Sequence, residues 1–103
     1  MFWFPAPADS STIMPAQAAD HVGEYVTVVG RVASVYTSNK GNTFLNFGAA
    51  YPNQIFSGVI FVDYADRFRN VHGFEGHAIR ISGVIKLYQG RPEIILERSS
   101  QLQ

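Results

Sequence analysis

Cysteine is absent from all 103 residues, which excludes disulfides, thiolate nucleophiles and cysteine-ligated zinc and suits an oxidising or a reducing compartment equally. Charge is sparse too. Eight acidic and 8 basic side chains give a formal net charge of +0, so no global field draws nucleic acid or an anionic membrane to the chain. There is no long hydrophobic run either. The start, Met1-Phe2-Trp3-Phe4 followed by Pro5-Ala6-Pro7, is too short and proline-rich for a membrane span and lacks the basic residues of a signal peptide. As written the chain reads as cytoplasmic, and as periplasmic or exported if a leader has been removed. No P-loop, Gly-x-Ser-x-Gly or dinucleotide-binding glycine pattern occurs.

What remains is apolar and aromatic. Hydrophobic residues make up 47% of the chain and aromatics 14%, enough to bury one core over a length that fits one domain. Residues 1–14 read as an N-terminal tail or linker and residues 15–103 as the folded unit. The few charges are unevenly spread: residues 1–30 hold Asp9, Asp20 and Glu24 without a Lys or Arg, whereas residues 31–62 hold Arg31 and Lys40 without an acid. Any electrostatic footprint is local.

The strongest pattern is an internal echo. From Gly23, Val26, Val28, Gly30 and Val32 recur at every second position; from Gly76, Ile79, Ile81, Gly83 and Ile85 fall at the same offsets. Both segments read as long strands with period-two β-branched residues, each interrupted by one glycine that is expected to mark a bend or bulge. The strands are expected at 24–36, 43–48, 56–62, 77–88 and 93–97, with a short helix over 63–73 capped by Asp63 and stopped at Gly73. A helical turn is expected after Pro15. Alternation places Val26, Val28, Val32, Leu45, Phe47, Ile60, Ile79, Ile81, Ile85 and Leu96 in the core. Five strands, two of them bent once, with a helix between the third and fourth, match the plan of the OB-fold, an all-β, five-stranded Greek-key barrel.

The order and spacing of "HVGEYVTVVGRV", "GNTFLNFG" with "YPN", "FSGVIF", "GHAIRISGVIKLYQGRPEIIL" and "SSQL" also resemble small bacterial OB-fold proteins of the nucleic-acid-binding, anticodon-binding-like type, over about residues 15–102. In the anticodon-binding OB domains of aminoacyl-tRNA synthetases the second strand carries a phenylalanine that stacks on a base, with a core position three residues later. The resemblance implies those roles for Phe44 and Phe47. It departs from the pattern after the core position, where Gly48-Ala49 replace an Arg-Asp pair, and on the third strand, where Ser57 replaces a glutamine. Only the stacking platform carries over.

Strand alternation marks out the same surface. If Leu45 and Phe47 are core, Phe44 and Asn46 face the other way, together with Ser57, Val59 and Phe61 on the next strand. A wet aromatic face offers bases a stacking surface of about 1–3 kcal/mol each, whatever the sequence. Tyr36, Lys40, Tyr88 and Arg91 flank it from the loops, and Lys40 and the Tyr88–Arg91 hairpin occupy the two loops with which OB barrels grip ligands. The expected function is therefore non-enzymatic, weak, low-specificity binding of single-stranded nucleic acid, with no cofactor, metal or membrane partner. The alternative is an interaction module that docks a protein or an oligosaccharide on the same face. His21, His72 and His77 lack metal-ligand spacing. Asp63, Asp66, Arg67 and Arg69, nuclease ingredients in other settings, are expected to cap and pair along the short helix.

Overall fold

The computed structural model describes residues 11–103. The expected linker and the apolar Met1–Phe4 tip fall outside these residues, except for Ser11–Met14. Seven strands form, where five were expected: β1 (Thr12–Ile13), β2 (Tyr25–Thr37), β3 (Thr43–Phe47), β4 (Phe56–Ile60), β5 (Ala78–Val84), β6 (Lys86–Tyr88) and β7 (Arg91–Ile95). They make one mixed sheet of order β1-β2-β3-β4-β7-β6, with β5 paired to β2 off that path.

Two local causes account for the extra strands. Thr12 and Ile13 pair in parallel with Thr27 and Val28, and Ile13 enters the core. The expected fourth strand is divided at Ile85, whose amide donates to the Glu24 carbonyl while its own carbonyl accepts from the Gly23 amide. Residues before Ile85 pair with β2 and residues after it with β7.

The echo glycines occupy regular antiparallel register, Gly30 opposite Ile79 and Gly83 opposite Val26. They are not bulges, one of the two forms expected of them. The irregularity in β2 falls between Val32 and Ser34, where the strand leaves β5 and joins β3. The glycines serve close packing instead: a Cβ on Gly30 would lie 2.6 Å from Pro15 Cγ, and one on Gly83 2.6 Å from Ile94 Cγ2. Each nevertheless precedes the point at which its strand exchanges partners, so the echo marks the two corners of the sheet.

β7 begins two residues earlier than expected, directly after a two-residue turn at Gln89 (φ 53°) and Gly90 (φ 79°). Two successive positive φ angles fit the tight hairpin turn whose twist matches the flanking strands. Pro92 is tolerated because its position opposite Leu87 lies between the hydrogen-bonded pairs of that hairpin, so β6 asks no N–H of it.

The expected helix over 63–73 is instead two 3-10 segments, Val62–Arg67 and Val71–Phe74. Phe68 is extended and Asn70 left-handed (φ 54°), which breaks any continuous helix. Asp63 does not cap, since Phe61 holds the N-cap position with no side-chain bond. Asp63–Arg67 and Asp66–Arg69 do not pair; the acid–base contact found among the described residues is the hydrogen bond between His21 Nδ1 and Glu24 Oε1 at 2.9 Å. Arg67 instead donates to the Glu97 carbonyl (2.9 Å) and lies over the Tyr64 ring, 4.7 Å from its centroid. The turn after Pro15 forms as a 3-10 helix, Pro15–His21.

All ten residues assigned to the core are buried, joined by Phe56, Ile94, Ile13 and Ala18. Phe47 and Phe56 meet at 5.3 Å between ring centroids, tilted 54°. Gln101 closes the bottom of this core. Its Oε1 accepts from the amides of Glu97 and Arg98, and its Nε2 donates to the carbonyls of Ser82 and Ile95, all at 2.9–3.1 Å.

Candidate functional site

Strand pairing fixes what faces outward on the other side of β2, β3, β4 and β7. In antiparallel and parallel ladders alike, residues in register share a face. One cross-strand row is polar: Ser34, Asn46, Ser57, Glu93 and Lys86 are successive partners. The adjoining row is apolar: Tyr36, Phe44, Val59 and Ile95. The Tyr88–Arg91 pair of the hairpin lies beyond the polar row at one end, and the 48–55 loop stands at another.

Between them lies an open groove of about 910 Å³. Six of the seven expected site residues line it: Tyr36, Phe44, Asn46, Ser57, Tyr88 and Arg91. Lys40 does not; it is exposed in the Ser38–Asn42 turn, which closes on itself as the Ser38 amide donates to the Asn42 carbonyl and the Gly41 amide to the Ser38 carbonyl. Phe61, placed on this face by alternation, is exposed past the end of β4 and is absent from the groove wall.

The residues divide by burial. Tyr36 (52% exposed) and Tyr88 (62%) present their rings to solvent, whereas Asn46 (1%) and Ser57 (7%) are enclosed. Phe44 was expected to be open to solvent or covered only by the N-terminus, most of which lies outside the described residues; it is half-buried, stacked on Tyr36 with centroids 6.3 Å apart and planes 24° from parallel. Val59, its partner on β4, is 2% exposed and lies outside the main core cluster, so the aromatic pair rests on a small apolar base of its own.

Asn46 and Ser57 are the floor. Ser57 Oγ donates to Asn46 Oδ1 at 2.8 Å, and Asn46 Nδ2 donates to Ser34 Oγ at 3.3 Å. These bonds hold the amide in one orientation and satisfy groups that would otherwise be costly to bury. Their first duty is therefore to each other, and contact with a ligand falls mainly to the exposed rings and Arg91. Glu93 continues the row. Burial raises its pKa above the ordinary carboxylate value, partly offset by the Lys86 ammonium across the strand pair.

The sequence reading missed Ser34, Tyr51, Pro52, Gln54, Gln89, Pro92 and Glu93 as groove residues. Ser34 and Glu93 were within reach, since each stands two positions from a chosen residue on the same strand and hence on the same face. Tyr51, Pro52 and Gln54 were not: how a loop folds back over a sheet leaves no periodic trace. Of the histidines, His72 Nε2 meets Thr37 Oγ1 at 2.9 Å and His21 pairs with Glu24. No three His, Asp or Glu side chains gather at a common point among the described residues.

A mostly β, open mixed sheet with a groove on its outer face is consistent with an OB-like barrel. Solved structures share this fold. A protein assigned as aspartyl-tRNA synthetase from Leishmania major Friedlin aligns with a TM-score of 0.56 at 12% identity, over 95% of this chain and 22% of its own. Asparaginyl-tRNA synthetase from Pyrococcus horikoshii aligns at 0.55 and 16% identity, over 91% of this chain and 22% of its own. The same enzyme complexed with asparaginyl-adenylate aligns at 0.51 and 18%, over 82% and 20%. The chain thus spans about one fifth of the length of these proteins. No family model matches the sequence, and no curated protein matches it.

Proposed function

We propose that this chain is a five-stranded, Greek-key OB barrel, with β5 and β6 as one bent strand and β1 as an addition. It acts as a non-enzymatic module that binds single-stranded nucleic acid weakly and with little sequence preference. The observation that carries this reading is the juxtaposed pair of rows. Tyr36 and Phe44 form a stacked aromatic platform beside a satisfied polar floor, with Tyr88 and Arg91 at the rim. Flat rings accept any base, and one guanidinium suits one phosphate. The resemblance to small bacterial proteins of the anticodon-binding-like type, and the OB-like fold shared with tRNA synthetase structures, support it.

The charge balance sets the strength. Arg91 and Lys86 are the basic residues on this face, so about one or two phosphates are neutralised and the log-log salt slope should be about −0.7 to −1.4. Fluorescence anisotropy of a labelled single strand of about 4 nucleotides, short enough to occupy the groove alone, measures it across a salt series. Tyr36→Ala should weaken binding by about 1–3 kcal/mol. Absence of binding at low salt, or binding indifferent to salt, refutes the reading.

A second reading has its own support. The neutral amide and hydroxyl groups of the floor, flanked by tyrosine rings, also suit an oligosaccharide or the polar rim of a protein partner. Binding of a neutral oligosaccharide with no salt dependence, and none of nucleic acid, would decide for it.

A further inference from the structure

A second cleft, of about 360 Å³, opens where three separate segments converge, and it is lined by Arg67, Phe68, Arg69, Phe74, Ser99 and Leu102. Two arginines, a serine, a leucine and two phenylalanines line it, and no Asp or Glu does. Arg67 is fixed from behind by the Glu97 carbonyl and the Tyr64 ring, which spends part of its donor set and leaves the rest oriented. Arg69 is exposed and has no ion-pair partner among the described residues. Phe68 and Phe74 are half-buried against the core, so they form a rigid wall. Cations without an acid in the wall, beside flat apolar surface, complement a phosphodiester with its base.

The chain links the cleft to the groove. Val35 lines the groove, and its amide donates to Glu75 Oε1 at 2.9 Å; Thr37, two residues on, meets His72. These bonds tie the 71–76 segment to the edge of β2 and also occupy the Glu75 carboxylate. Phe74, in the cleft wall, is the residue next to Glu75, one Cα step of about 3.8 Å away.

We infer that this cleft is a second phosphate-and-base subsite for the same single strand, reached once the strand runs past the Tyr36–Phe44 platform and over the edge of β2. The inference rests on the nucleic-acid reading of the groove. It makes affinity depend on length: a strand that fills only the groove misses the cleft, and a longer one gains a contact.

The test compares labelled single strands of about 4 and about 12 nucleotides, within the range of site sizes of OB domains, against the wild type, Arg69→Glu and Phe74→Leu, with melting temperatures measured in parallel. The longer strand should bind the wild type about tenfold more tightly than statistical factors allow. Arg69→Glu should remove that gain and lower the magnitude of its salt slope by about 0.7, one phosphate's share, with the short strand unaffected. Phe74→Leu should reduce the gain without changing the slope, because it removes a ring and no charge. Affinity independent of length, or an equal loss for both strands in Arg69→Glu, overturns the cleft and leaves the groove reading intact. Binding of neither strand to the wild type overturns both.

Discussion

Asn46 and Ser57 give the sharpest test of how the groove is built. Both are nearly enclosed, at 1% and 7% exposure, and Ser57 Oγ donates to Asn46 Oδ1 at 2.8 Å. Asn46→Ala leaves the serine hydroxyl buried without its acceptor, and Ser57→Ala leaves the amide oxygen without its donor. Each single change should cost about 1–3 kcal/mol, the penalty of an orphaned buried polar group. The double variant leaves no orphan at this bond, so its cost should fall short of the sum by about 0.5–1.5 kcal/mol, a coupling within the range seen for contacting residues. In a domain of this size about 1 kcal/mol moves the melting temperature by about 4–8 °C, so both the single effects and the shortfall are measurable by calorimetry or urea unfolding. Additivity within about 0.3 kcal/mol would mean that the two side chains do not depend on each other. The floor would then be available to a ligand, as the sequence reading first had it.

The other predictions concern core, packing and charge. Ile81 is fully buried, and Ile81→Ala should cost about 2–5 kcal/mol in urea unfolding through the cavity it leaves; a loss below about 1 kcal/mol would contradict its place in the core. Gly83→Val should destabilise by about 1–3 kcal/mol, because its Cβ would fall 2.6 Å from Ile94 Cγ2; an unchanged melting temperature would show that the packing there is loose. Arg91→Gln should lower the magnitude of the salt slope for oligonucleotide binding while Lys40→Gln leaves it unchanged, since Arg91 alone of the two lines the groove. For Glu93, whose pKa is raised by burial, the folded state holds its proton to higher pH than the unfolded state does. Stability should therefore fall as pH rises from the ordinary carboxylate range through the raised value, and Glu93→Gln should flatten that part of the pH–stability curve. A wild-type curve that rises across the same window would contradict the assignment.

Much of this fold is legible in the sequence because β periodicity is a local signal. Alternation placed all ten expected core residues, and the same rule read from Leu45 and Phe47 placed Phe44 and Asn46 on the opposite face. Alternation says which face a residue occupies and nothing about what covers it. Phe44 is half-covered because Tyr36 stacks on it, a contact set by the register of β2 against β3 across the five-residue Ser38–Asn42 turn. Asn46 is enclosed because Ser34 and Ser57 arrive on both sides, each from a different strand. The 63–73 segment carried helix-compatible residues, but Asn70 takes the left-handed conformation that asparagine tolerates, and the segment breaks there. Gly30 and Gly83 were correctly singled out, but neither is a bulge, and the packing that requires them was not foreseen. Their sequence context announced a special position without telling a bend from a close approach by Pro15 or Ile94.

The central claim is that single-stranded nucleic acid lies on the rows led by Ser34 and Tyr36. A titration of isotopically labelled protein with a mixed-sequence single strand, followed by amide chemical shifts, tests it most directly. With a strand of about 4 nucleotides, which fills the groove alone, the account predicts saturable shifts concentrated at Ser34–Tyr36, Phe44–Asn46, Ser57 and Tyr88–Glu93, weakened by salt and largely lost in Tyr36→Ala. Shifts scattered over the surface, shifts confined to the opposite face of β2 and β5, or none at low salt would contradict it.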